Sequence, residues 1–161
     1  MRLMTFILLL ISSQAFCSKA LVVEFVKVDK SERKLFLYSN GEVVKTYSVA
    51  LGENEGPKKQ EYDKKTPEGN YSLIEKKPNS KFHKAILISY PNKDDIANSK
   101  RNGVNPGGLI EIHGQYNSWW SRFDVLWQWK NWTDGCIALS NKDMDDLWNL
   151  VQIPTPIEIT P

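Results

Sequence analysis

Short runs in which apolar and polar residues alternate recur along most of the chain, and they predict a protein built mainly from β-strands. The run 85–90 is apolar enough to predict a central strand. Asn40 and Gly41 separate two of the runs, and because both residue types tolerate positive φ they predict a hairpin turn. The predicted strands are 21–28, 34–38, 43–51, 71–75, 85–90, 109–113, 137–139 and 157–159.

Helical periodicity is clear in only one segment. Residues 142–151 place apolar side chains on one face at helical spacing, and Asn141 is the predicted N-cap. Residues 94–100 predict a second, shorter helix, while the pattern of 116–131 fits a helix and an aromatic loop equally. Together with a length of 161 residues, this predicts a single mostly-β domain, a sandwich or barrel-like sheet with one or two helices.

The first twenty residues have the pattern of a secretory signal peptide. Arg2 precedes a short apolar run, and Ser18 and Ala20 supply the small residues expected before a cleavage site. We therefore predict residues 1–20 as the signal peptide and 21–161 as the mature domain, exported to the periplasm or cell-wall space. Lipidation at Cys17 is the alternative, and stable membrane insertion after cleavage is not expected.

Cleavage after Ala20 changes the charge and the cysteine count. Loss of Arg2 and Lys19 takes the formal net charge from +2 to zero, which argues against a nucleic-acid partner because such proteins usually carry a basic face. Cys136 then remains as the single cysteine and has no partner for an internal disulfide. A buried inert thiol and a reactive one are both compatible with that count. The sequence does not predict the oligomeric state.

Residues 111–141 concentrate the rare side chains of the chain. They contain His113, one of two histidines, together with Cys136 and five of the six tryptophans. A thiol needs a nearby base to become a nucleophile at neutral pH, and imidazole can serve as that base. His113 lies 23 positions before Cys136, so only the fold can bring them together. We expect a hairpin-like return from strand 109–113 to strand 137–139 to do so.

Four segments resemble one family. They are TPEGNYSL, ISYPN, NPGGLIEIHG and WTDGCIALSN, and in this order they resemble the L,D-transpeptidase catalytic domain, also called the YkuD domain. The family pattern is His-Gly about twenty residues before Ser/Thr-x-Gly-Cys, which His113 and Cys136 match. The resemblance covers roughly residues 21–160 and implies a single-domain YkuD-like β-sandwich or barrel. Two positions depart from many members: Asp134 replaces a second histidine, and Ala138 replaces an arginine.

The resemblance implies an acyl transfer on peptidoglycan stem peptides. Cys136 is the implied nucleophile and His113 the general base and acid, with a backbone carbonyl after the histidine, of Gly114 or Gln115, as its orienter. Asp134 is the alternative orienter. Gly135 permits an unusual turn, and its N–H with that of Cys136 is expected to form the oxyanion hole. No cofactor and no metal are predicted.

Further residues are candidates for substrate contact. By family analogy or by position, the candidate substrate-binding residues are Tyr90, Asn92, Trp120, Trp132, Thr133 and Asp134. Each has a structural alternative, since aromatics more often pack than bind and Thr133 can simply shape a turn.

Other functions remain open. Within the acyltransferase hypothesis, transpeptidation, carboxypeptidase action and amidase action differ only in what resolves the thioester. Outside it, a non-catalytic wall-binding module keeps the fold without the chemistry. A zinc site is disfavoured because Cys136, His113 and Asp134 lack the usual paired ligand spacing.

Overall fold

The computed structural model describes residues 21–117 and 130–161, and within them the chain folds into eight strands and two helices. The prediction of a mostly-β fold is confirmed. In chain order the elements are β1 (Phe25–Asp29), β2 (Lys34–Ser39), β3 (Glu42–Ser48), β4 (Gly69–Ser80), β5 (His83–Ile88), α1 (Lys93–Asn102), β6 (Glu111–His113), β7 (Ile137–Ala138), α2 (Asn141–Leu150) and β8 (Thr155–Thr160).

All eight strands belong to one curled sheet with the order β3-β2-β1-β8-β4-β5-β6-β7. The β1–β8 and β6–β7 pairs are parallel and the others are antiparallel. The predicted hairpin between β2 and β3 is present, with Asn40 and Gly41 at φ values of 51° and 78°. The predicted central strand is also confirmed, because β5 lies between β4 and β6.

The chain after β3 brings the two edges of this sheet together. Ala50 and Ala138 exchange backbone hydrogen bonds of 2.9 and 2.8 Å. Gly52 forms a second bridge, with Thr133. Because β3 and β7 are the edge strands, these bridges give the sheet a barrel-like closure, and they fix the 133–138 segment against the chain that leaves β3.

The core lies on the inner face of the sheet, where alternate strand residues are buried. β1, β2 and β8 each bury every second side chain, as a strand with one solvated face does. Met144 and Leu147 bring the apolar face of α2 onto this core. The fully buried large side chains include Leu35, Leu37, Leu73, Ile86, Ile88, Ile112, Ile137, Leu139, Met144, Leu147, Ile157 and Ile159.

Both helices begin with a side-chain cap, but one cap differs from the prediction. The N-cap of α2 is Ser140, whose hydroxyl accepts from Asp143 N–H at 3.0 Å, so the prediction of Asn141 was wrong by one residue. Helix α1 is capped by Asn92, whose side-chain oxygen accepts from the N–H groups of Asp94 and Asp95.

Strand β4 is longer than its sequence predicts. The polar stretch 76–80 has low β-propensity, yet it continues the strand because Lys76 and Lys77 pair with Ile86 and Ala85 of β5. Cross-strand pairing thus overrides local preference. The predicted signal peptide (1–20) and most of the 116–131 segment lie outside the described residues. Among those described, no helix is long and apolar enough to cross a membrane.

Candidate active site

The pairing of β6 with β7 connects the two halves of the predicted site. Ile112 pairs with Ile137 and His113 with Ala138, and the strands run parallel. The expected hairpin-like return was therefore wrong in direction, because a hairpin joins antiparallel strands and these two run parallel. Side chains two apart on a strand share a face, and His113 pairs with Ala138. This alternation, extended by one residue before β7, predicts that Cys136 and His113 share one side of the sheet.

His113 is held by backbone and ring contacts. Its side chain is 2% exposed, and its Nδ1 lies 2.7 Å from the carbonyl oxygen of Gly114. A carbonyl can only accept, so Nδ1 carries the proton and Nε2 keeps its lone pair. This is the tautomer that a general base needs. Gly114, rather than Asp134, occupies the position predicted for an orienting group.

Two aromatic side chains pack against the His113 ring, and a third packs against one of them. Phe82 stacks on it with ring centroids 4.4 Å apart, and Trp132 meets it edge-on at 5.8 Å. Tyr116 packs edge-on against Phe82. The rings exclude water from the imidazole and hold its plane. Trp132, predicted as a substrate contact, thus packs against the predicted base.

Cys136 follows a tight turn that Thr133 organises. The Thr133 hydroxyl donates to the carbonyl of Cys136 at 2.7 Å and accepts from the N–H of Gly135 at 3.2 Å. Thr133 itself is buried and bridges to Gly52. The Gly135 N–H is thus engaged within the turn in this structure, and its role in an oxyanion hole stays a prediction. The Cys136 thiol contacts the Leu109 carbonyl at 3.8 Å.

Glycine is required on both sides of the candidate pair. Gly135 has φ of 125°, and a Cβ there would lie 2.5 Å from the Lys65 carbonyl oxygen. A Cβ on Gly114 would lie 2.6 Å from Asn141 Oδ1 and 3.0 Å from His83 Cβ. A side chain at position 114 would therefore displace the Gly114 carbonyl, and one at position 135 would displace the turn before Cys136.

A cavity of about 250 Å³ opens beside Cys136. Asp134 is exposed at its margin, and the loop before β4 supplies Lys58 and Lys64. Lys58 is nearly buried and donates to Asp63 at 2.9 Å, whereas the more exposed Lys64 pairs with Glu53 at 2.7 Å. The cavity therefore brings the thiol close to two lysines that are already ion-paired and to the acidic Glu61 and Asp134. Its volume is large enough for a peptide side chain.

The surroundings of the candidate pair favour its neutral form. Burial raises the pKa of the Cys136 thiol to about 11, with smaller opposing effects from a backbone hydrogen bond at Glu111 and from the charge of Lys58. Burial also lowers the pKa of His113, against the effect of its bond to Gly114. Both shifts favour a neutral thiol and a neutral imidazole over the charged thiolate–imidazolium pair.

The remaining predicted contacts lie in different places. Tyr90 is buried and donates to the Pro106 carbonyl at 2.9 Å, in a second cavity that also contains Lys58. Asn92 uses its side-chain oxygen to cap α1. Trp120 falls outside the described residues. Their predicted substrate contacts stay predictions.

Sequence reasoning missed several residues of the site. Phe82, for which no role was predicted, stacks on His113, and Asn141, predicted as a helix cap, contacts the N–H of Gln115. No role was predicted for the loop between β3 and β4, yet it delivers Lys58 to the cavity. Within the described residues, no three His, Cys, Asp or Glu side chains cluster in a way that could hold a metal ion.

Comparisons with known proteins give a consistent result. The chain is 29% identical over 134 residues to "Putative L,D-transpeptidase YafK" of Escherichia coli (strain K12), covering 79% of this chain and 46% of that protein. Among solved structures it resembles the helical cell shape determining protein Pgp2 from Campylobacter jejuni, with a TM-score of 0.62, 28% identity and coverage of 85% and 47%. Bdellovibrio bacteriovorus Bd1075 gives a TM-score of 0.58, 26% identity and coverage of 88% and 49%.

The chain spans about half the length of these relatives. A family model described as the L,D-transpeptidase catalytic domain matches residues 24–159, which is nearly the whole described chain. This match confirms the resemblance drawn from the four sequence segments. The protein therefore belongs to the L,D-transpeptidase catalytic domain (YkuD) family.

Proposed function

We propose that this protein is a cysteine acyltransferase that modifies peptidoglycan stem peptides in the periplasm or cell-wall space. The observation that carries the proposal is the β6–β7 register, which directs a buried, tautomer-fixed imidazole and a thiol to one side of the sheet, with a cavity next to the thiol. Membership of the family supports the substrate class.

The reaction follows from the neutral resting pair. His113 Nε2 takes the thiol proton as Cys136 Sγ attacks a stem-peptide carbonyl, and an S–C bond forms. The C–N bond to the leaving D-alanine then breaks, and the imidazolium returns the proton to the departing amine. An amine of a second stem peptide next attacks the thioester and loses a proton to His113. The S–C bond breaks as the new amide forms, and His113 returns the proton to the Cys136 sulfur.

The developing oxyanion needs donors close to the attacked carbon. The Cys136 N–H is our first candidate, with the Gly135 N–H as a second if the turn rearranges away from Thr133. Removing one such donor typically costs roughly 3–4 kcal/mol of transition-state stabilisation. Ala138 leaves the family's usual arginine position without a charge, so another cation must hold a stem-peptide carboxylate. Lys64 is our first candidate, because it lines the cavity and its partner Glu53 is exposed enough for a substrate carboxylate to replace it. The nearly buried Lys58, paired with Asp63, is the second.

If water rather than an amine attacks the thioester, the same acyl-enzyme is hydrolysed and the protein acts as a carboxypeptidase or an amidase. Pgp2 is named as a protein that determines helical cell shape. We therefore propose a role in cell shape for this chain as well, whichever acceptor it uses. A wall-binding module that lacks chemistry is the alternative of another class.

Product analysis tests these proposals directly. Sacculi are incubated with the wild-type protein or with Cys136→Ala, digested with a muramidase, and separated by liquid chromatography with mass detection. We expect new 3–3 cross-links with the wild type and an unchanged profile with the variant. Shortened stems without new cross-links identify a carboxypeptidase, and release of wall-linked protein identifies an amidase.

Two outcomes would contradict the mechanism. Full activity of Cys136→Ser would exclude a role for the thiol as nucleophile. Sacculus binding without any change in muropeptides, combined with the absence of a thioester mass on intact protein incubated with a disaccharide tetrapeptide, would favour the binding module.

A further inference from the structure

The first residue of α2 contacts the segment that follows β6. The side-chain oxygen of Asn141 accepts the N–H of Gln115 at 2.7 Å. That N–H and the carbonyl of Gly114 belong to one planar peptide unit, whose two polar groups point in opposite directions. The same carbonyl accepts the Nδ1–H of His113 at 2.7 Å. Asn141 and His113 therefore hold opposite ends of a single peptide plane.

We propose that Asn141 is a positioning residue that fixes the rotation of the 114–115 peptide. It thereby holds His113 in the tautomer that is protonated at Nδ1 and unprotonated at Nε2. Its effect on the imidazole is independent of the reaction, whereas its effect on catalysis rests on the proposed role of His113 as the base.

The peptide needs such a restraint because of its sequence. Gly114 has no side chain to limit its backbone rotation, so the carbonyl can turn away from His113 at little cost. Asn141 Oδ1 lies 2.6 Å from the position that a Cβ of Gly114 would take, so the atom that restrains the peptide also requires glycine there. The buried Gln115 side chain adds a second restraint by donating to the Leu139 carbonyl at 2.7 Å.

The helix itself is anchored well enough to position Asn141. Asp145 lies one turn further along α2, and its carboxylate contacts His83 Nε2 at 2.7 Å and Lys84 Nζ at 2.8 Å on β5. Met144 and Leu147 are fully buried on the core side. Residues four apart share a helix face, so Asn141 and Asp145 both face the β5 side of the molecule. Helix α2, which follows Cys136 and β7 in the chain, thus orients the predicted base His113.

Nitrogen-15 NMR of the histidine side chains tests the inference, because the chain has only two histidines and their ring nitrogens report protonation separately. In the wild type we expect His113 to be protonated at Nδ1 alone at neutral pH. In Asn141→Ala we expect signals averaged between the two tautomers. Asn141→Asp should restore the wild-type tautomer, because a carboxylate still accepts from Gln115. Lys142→Ala, at the exposed neighbouring position, is the matched control.

Kinetics on muropeptides provide the second readout. We expect Asn141→Ala to lower kcat by about 10- to 100-fold, by analogy with the loss of a hydrogen-bond partner behind a metal-ligating histidine, with little change in KM. Asn141→Asp should recover most of that loss, which a general destabilisation would not allow. If the alanine variant does not fold, Asn141→Ser is the substitute, since its shorter hydroxyl cannot reach Gln115.

A single Nδ1-protonated tautomer in folded Asn141→Ala or Asn141→Ser would overturn the inference, whatever the activity. If instead the proposed function is wrong, the wild-type protein would leave muropeptides unchanged, while the tautomer of His113 would still depend on Asn141. The two results are read from separate measurements on the same samples.

Discussion

Replacing Gly135 with alanine tests the tight turn that presents Cys136. The backbone φ of 125° is one that residues with a side chain avoid, at a cost of about 1–3 kcal/mol. The new Cβ would also lie 2.5 Å from the Lys65 carbonyl oxygen and 3.3 Å from Ile110 Cδ1. Overpacking adds about 1–3 kcal/mol. We therefore expect Gly135→Ala to lower the free energy of unfolding by roughly 2–6 kcal/mol.

Thermal unfolding followed by circular dichroism measures this loss. One kcal/mol lowers the Tm of a domain of this size by about 2–4 °C, so we expect a decrease of roughly 5–20 °C. Gly108→Ala is the control for stability, because its Cβ would meet no described atom within 4 Å. Muropeptide turnover should fall sharply in Gly135→Ala even well below its Tm, since relief of the contact with Lys65 must move the turn.

A Gly135→Ala protein with the Tm of Gly108→Ala would refute the close approach to Lys65. Wild-type turnover in the same variant would refute the dependence of the nucleophile on the turn. Loss of stability with full turnover would separate the two claims, leaving the packing argument intact and the catalytic one wrong.

Three further changes follow from the same geometry. The alkylation rate of Cys136 by iodoacetamide should rise about tenfold per pH unit from pH 7 to pH 10, because the thiol pKa is raised to about 11 and only the thiolate reacts. Thr133→Val should lower the free energy of unfolding by about 1–3 kcal/mol, since it leaves the Cys136 carbonyl and the Gly135 N–H without their partner. Asn92→Ala should lower it by about 1 kcal/mol through loss of the α1 cap, with KM for muropeptides unchanged.

Each of these predictions has a clear contrary result. An alkylation rate that levels off below pH 8 would indicate a resting thiolate–imidazolium pair. A Thr133→Val protein as stable as Thr133→Ser would mean that the hydroxyl bonds contribute little. A large increase in KM for Asn92→Ala would restore Asn92 as a substrate contact.

The positions of the strands along the chain and the family could be predicted from the sequence because both depend on local features. Alternation of apolar residues marks strands with one buried face, and the Asn40–Gly41 pair specifies a hairpin by its tolerance of positive φ. The resemblance rests on short motifs whose residues are adjacent in the chain. Local rules erred only at the ends of elements, as with the cap of α2 and the length of β4.

The site, by contrast, was decided by contacts between distant residues. The parallel β6–β7 register, the Phe82 ring on His113 and the arrival of Lys58 beside Cys136 each join segments whose separation carries no periodic signal. The sequence by itself determined that residues 111–141 contain a thiol and an imidazole. The tertiary structure decided that the imidazole is buried and oriented by Gly114, and that burial lowers its pKa, because burial and backbone direction are properties of the packed sheet alone.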